Sequence, residues 1–98
     1  MDLTLLSEIC SNYWEKYPDS KTVLLDGILA LGMDQPIDIP TMRALTYAIM
    51  IYSFKEGPDS FNRCLTLVNC LGAVSIFEEH LRNWVKKRTT IITEINDN

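Results

Sequence analysis

Hydrophobic residues recur along this chain mainly at three- and four-residue intervals, punctuated by Gly and Pro, and that pattern predicts five helical segments. The first spans roughly Leu3 to Tyr17, where Leu3, Leu6, Ile9, Cys10, Tyr13 and Tyr17 draw one stripe. Asp2 stands ready to cap it, and Pro18 ends it by steering Tyr17 out of helical geometry. The second spans Ser20 or Lys21 to Leu31. Ser20 is its expected cap, Leu24, Leu25, Ile28 and Leu29 its expected inner face, and Gly32 a left-handed stop. A loop with two prolines follows, in which Ile37 and Ile39 are expected to reach the core and Pro40 suits the first turn of a helix.

The third segment sets the architecture. Residues 42–54 are apolar nearly all the way round a helix, yet too short to cross a membrane, which takes ~20 such residues. A helix of that kind has to be wrapped by others. The fourth segment opens at Gly57-Pro58-Asp59-Ser60, carries Phe61, Cys64, Leu65, Val68 and Leu71 on one face, and stops at Gly72. In the fifth, Ser75-Ile-Phe-Glu78 fits a capping box, and Phe77, Leu81, Trp84 and Val85 form the expected buried face. The expectation is an all-α, compact single domain of about five helices around a central buried helix. Residues 1–93 make up the helical interaction domain and 94–98 a loose C-terminal tail.

Composition narrows the function. The chain has 98 residues and a formal net charge of −4, which argues against duplex nucleic acid as a direct partner. The charge is uneven: the acids concentrate before Ile39, while Arg82, Lys86, Lys87 and Arg88 cluster near the other end. Cys10, Cys64 and Cys70 lack zinc-like spacing, and each sits among apolar residues, so buried thiols and a reducing, intracellular compartment are expected. The N-terminus lacks the basic start of a signal peptide.

Catalytic residue types are missing. His80 is the one histidine, expected on a solvated turn, with no Ser or Cys a helical turn away to serve as its nucleophile. The four glycines are isolated, so no phosphate-binding loop forms, and no carboxylates have calcium-loop spacing. The reading is a non-enzymatic module with no metal, no cofactor, no small-molecule substrate and no membrane span. Its candidate contact residues are Trp14, Lys16 and Lys21 around the end of the first helix, and Arg43. Arg43 opposes the dipole of the helix it opens. It is either paired with Asp38 or a neighbouring acid, or kept for a partner's carboxylate or phosphate.

Two stretches carry a family resemblance. Ile9-Cys-Ser-Asn-Tyr-Trp-Glu-Lys-Tyr17-Pro18 and Ile39-Pro-Thr-Met-Arg43-Ala-Leu-Thr-Tyr-Ala resemble the first and central helices of the C-terminal domain of rhabdovirus phosphoproteins. That resemblance implies a domain attaching a viral RNA polymerase to the nucleoprotein–RNA template in the host cytoplasm. It implies a basic nucleoprotein-binding patch at Lys16 and Arg43, with Lys21 beside them. Glu15 departs from the pattern, and the connection between the second and third helices is short. A competing likeness lies in Phe54-Lys-Glu-Gly-Pro-Asp-Ser-Phe61, Cys64-Leu65 and Phe77-Glu-Glu-His-Leu81, which resemble the last helices of caspase-recruitment domains. It implies a death-fold adaptor, though residues 32–40 are too few for a sixth helix. A helical subunit of a larger complex, with a large exposed apolar patch, is the third class.

Overall fold

The computed structural model describes the backbone of residues 1–96 and the side chains of residues 1–89. Five α-helices follow one another: α1 (Leu3–Lys16), α2 (Lys21–Gly32), α3 (Ile39–Glu56), α4 (Pro58–Leu71) and α5 (Val74–Asn96). A 3-10 turn, Pro18–Ser20, joins α1 to α2. Among the described residues there is no strand, and no helix is long and apolar enough to cross a membrane. Helix α5 reaches Asn96, past the expected start of a tail; residues 97 and 98 lie outside the described residues.

Helix α3 packs against each of the other four α-helices, as its apolar circumference requires. Leu45, Ile49 and Met50 have no exposed surface, and Ala48 is buried with them. Two hydroxyls lie among these side chains without cost, because Thr46 donates to the Met42 carbonyl and Ser53 to that of Met50, each at 2.7 Å. Helix α1 contributes Leu5, Leu6, Ile9 and Cys10; α4 contributes Cys64, Leu67 and Val68; α5 contributes Phe77.

The ends of the helices follow their local chemistry. Asp2 caps α1 by accepting from the Leu5 N–H, and Asp38 caps α3 by accepting from the Thr41 N–H, both at 2.9 Å. At the end of α4, Gly72 adopts φ 67°, so that its own N–H reaches Asn69 and that of Ala73 reaches Val68.

Several expectations are corrected. Gly32 is not the left-handed stop of α2; it lies inside the helix, and Asp34 takes φ 53° two residues later. The Gln35 N–H then bonds to Ala30 and that of Asp34 to Leu31, the double closure of a Schellman end. Leu25 and Leu29 are exposed, at 39% and 55%. Helix α2 turns Leu24 and Gly27 inward instead. A Cβ on Gly27 would stand 2.8 Å from Thr41 Cγ2 and 3.0 Å from Leu45 Cδ1, so this glycine is the close-approach point of α2 on α3. Ile39 is exposed while Ile37 packs on the core. Ser75 lies inside α5, whose cap position is Ala73, the residue whose carbonyl accepts from Phe77. Val85 is exposed, and so is Cys70. Cys10 and Cys64 are the buried thiols, burial pushing Cys10 up to about 12.

Ile49→Ala leaves a cavity where four helices meet on α3 and should cost ~2–5 kcal/mol, read from the urea midpoint. Asp34→Gly should act in the other direction, stabilising by ~0.5–1 kcal/mol, because glycine enters the left-handed region without the Cβ clash. A lowered midpoint for that variant would show that the Asp34 side chain supports the turn.

Candidate protein-docking surface

The end of α1 is shaped by the residue after it. Pro18 keeps Tyr17 out of the helix, at φ −126° and ψ 77°, while the Tyr17 N–H still closes on the Tyr13 carbonyl at 2.9 Å. This lays the Tyr17 ring against Tyr13, with centroids 4.9 Å apart. Tyr13 meets Tyr47 of α3 edge-on at 6.1 Å, and Tyr47 meets His80 of α5 edge-on at 5.3 Å. A row of four rings thus runs across three helices.

Beside this row, α1 and α3 enclose a groove of about 110 Å³. The buried Ile9 and Ala48 form its floor, with Ile51 next to them; Tyr13, Tyr17 and Tyr52 wall it, and the exposed Lys16 and Lys55 stand at its rim with Asn12. No acidic residue lines it. Burial, and behind it the neighbouring Tyr47 and Tyr17, raises the Tyr13 phenol above its ordinary value; burial foremost raises that of Tyr52 as well. Both hydroxyls therefore stay protonated at neutral pH and can donate hydrogen bonds.

The candidate residues fall in three places. Lys16 is at the groove, its Nζ 5.7 Å from the centre of the Tyr17 ring. Trp14 is two positions earlier, and so ~200° round the helix from Lys16. It packs on the core, with Lys21 Nζ 5.8 Å from its ring centre. Arg43 is held by Glu79 of α5 in a two-pronged pair, at 2.6 and 3.1 Å. Asp38, the partner considered for it, is occupied with capping α3. Nor is His80 a solvated residue: it is half-buried, with Nε2 3.1 Å from the Arg43 carbonyl oxygen and its ring on Tyr47. Arg43, Glu79, His80 and Tyr47 together fasten α5 to the first turns of α3.

Tyr52 and Lys55 complete the groove and were not among the candidates. Their signal was present: Ala48, Ile51, Tyr52 and Lys55 follow the spacing of one helical face, changing from apolar to cationic along it. Among the described residues no three His, Cys, Asp or Glu side chains gather as metal ligands would. The fold and surface define an all-α helical domain with an aromatic and lysine-rimmed groove. Comparison with protein families, curated proteins and solved structures finds no match for the chain.

The Arg43 hydrogen bonds, more than its charge, hold the Glu79 carboxyl below its ordinary value of 4.5. A depressed carboxyl contributes stability that is complete above 4.5 and is lost as pH falls through the lowered value. Glu79→Gln should therefore reduce the loss of stability between about pH 7 and about pH 3, measured as urea midpoints. Some loss should remain, because the Thr41 hydrogen bonds hold Asp38 low in the same sense. Equal losses in parent and variant would show that the pair does not act in solution.

Proposed function

We propose that this domain is a non-enzymatic protein-interaction module that docks its partner where the end of α1 meets α3, and that the partner is the nucleoprotein–RNA template of a viral RNA polymerase. One observation carries the docking surface: an apolar groove rimmed by Lys16 and Lys55, with no acidic lining, in a chain of net charge −4. Pre-formed concavity, phenolic donors and lysines suit a partner segment with an apolar side chain and acidic neighbours. The choice of nucleoprotein–RNA rests on the resemblance of residues 9–18 and 39–48 to the phosphoprotein domain.

In this reading Lys16 and Lys55 are the charges that meet the partner, while Arg43 acts through Glu79 to hold α5 in place. Trp14 and Lys21, in contact with each other away from the groove lining, are not among the charges and rings that meet the partner.

The test is binding to purified nucleoprotein–RNA rings. Lys16→Glu with Lys55→Glu should weaken it at least about tenfold and flatten its dependence on salt. The thermal midpoint should barely move, since exposed charges contribute little to stability. Tight binding by the folded double variant would remove the groove from the interface, and a parent that binds no rings would remove the nucleoprotein.

A further inference from the structure

A second surface lies at the far end of α3, away from Arg43. Phe77, Leu81, Trp84 and Arg88 follow one another at four-, three- and four-residue steps, so all four lie on the stripe of α5 that faces the core. The first three are buried in the core or packed against it. Phe54 of α3 meets Trp84, with centroids 4.7 Å apart, and α3 ends two residues later at Glu56. The core-facing stripe therefore continues past the helix that covered it. There it carries a cation: Arg88 is exposed and lies over the Trp84 ring, with Cζ 4.5 Å from the ring centre.

A cation–π contact holds the guanidinium at the ring through its charge and leaves its N–H donors for an acceptor. Arg43 shows what such donors do when a carboxylate is near, since Glu79 takes them with two hydrogen bonds. Among the described residues Arg88 has no carboxylate partner. Along α5 its neighbours are one-signed: Arg82, Lys86, Lys87 and Arg88 fall within seven residues, and no acid occurs from Leu81 to Thr93. Phe54, which is 41% exposed, also lines an open recess of about 560 Å³ together with Gly57, Pro58, Phe61, Ser53 and Asn62. The acids nearest in the chain to Phe54 and the recess beside it are Glu56 and Asp59, on α3 and α4.

We infer that Arg88, Trp84 and Phe54, with the adjoining recess, form a second docking site for an acidic peptide segment of a protein partner. An aspartate or glutamate of the segment takes the two N–H groups of Arg88, and a neighbouring Phe or Leu lies on Phe54 and enters the recess. Charge complementarity selects the acid, and the apolar recess selects a peptide over a nucleic acid. Single-strand binding wants open aromatic faces for base stacking, whereas Arg88 lies over the Trp84 ring and Phe54 packs against it, tilted by 44°. The site does not depend on the groove between α1 and α3.

The probe is a set of fluorescein-labelled synthetic peptides carrying one Phe or Leu between glutamates, followed by anisotropy against the whole chain. The same peptides with Gln for Glu, and oligouridylate RNA, are the comparisons. Glutamate peptides should bind at least about tenfold tighter than their Gln counterparts. Arg88→Gln should abolish that preference, and Arg88→Lys should restore little of it, because lysine offers no fixed fork. Arg82→Gln, off the stripe, should leave it intact; every variant is compared in the Lys16→Glu, Lys55→Glu background, so that the groove between α1 and α3, itself suited to acidic segments, does not contribute to the reading. The proposal falls if no peptide binds in that background, if Arg88→Gln binds as well as the background without it, or if oligouridylate binds in preference. Equal thermal midpoints for Arg88→Gln and parent keep a loss of binding from being a loss of fold.

Discussion

Helix α3 has almost no face that tolerates water, and the rest of the chain is arranged around that fact. Leu45, Ala48, Ile49 and Met50 point in different directions from one axis, so covering them takes helices on several sides. The close approach of α2 at Gly27, the caps at Asp2 and Asp38 and the closure at Gly72 are the local means by which a short chain delivers four covering helices at suitable angles. Because α3 is in contact with all of them, both ends of α3 and every groove along it are places where two or three elements meet.

Function is located by the same geometry. Where α3 begins, α5 is fastened to it by Arg43, Glu79 and His80, and the polar groups there satisfy one another. Along its second half, from Ala48 to Lys55, α3 faces the end of α1, whose tyrosines and Lys16 leave the lysine-rimmed groove. At its end, α3 stops while α5 continues, so Phe54 and Trp84 come to the surface under Arg88. The polar groups fastening α5 are already spoken for, whereas the two later regions place Lys16 and Lys55, and Arg88, beside apolar recesses with no salt bridge to them among the described residues.

How far this was legible from sequence differs from element to element. The period of the apolar residues located all five helices, and the burial of α3 followed from its circumference. The inner face of α2 did not, because Leu24, Leu25, Ile28 and Leu29 make one stripe ~140° wide, and the pattern alone does not say which edge of it turns inward. Gly27 chooses: its missing side chain lets α3 come within contact distance, and that rotates Leu25 and Leu29 out to solvent. Ser75 was misplaced for a similar reason. The Gly72 closure uses Gly72 and Ala73, and α5 begins at once with Val74, one residue before the serine that resembled a cap. The pairing of Arg43 with Glu79 joins residues 36 apart, and no local spacing encodes it. Tyr52 and Lys55 were legible as a helical face but not as a groove, since that required knowing that the end of α1 lies opposite.

The arginines show how one residue type divides between architecture and recognition. Arg43 stands in the early turns of α3, where the helix dipole disfavours a cation, and it persists there because Glu79 supplies the opposite charge from another helix. Removing either partner leaves a charge beside the aromatic row and loosens the start of α5. Arg88 has the converse setting. No core remains for it to organise, because α3 has ended, and the Trp84 ring holds the guanidinium by a cation–π contact while offering it no hydrogen-bond acceptor. A cation held over one ring, whose donors lack a carboxylate among the described residues, contributes little to holding this fold together. Its geometry is suited to an acceptor brought by another molecule.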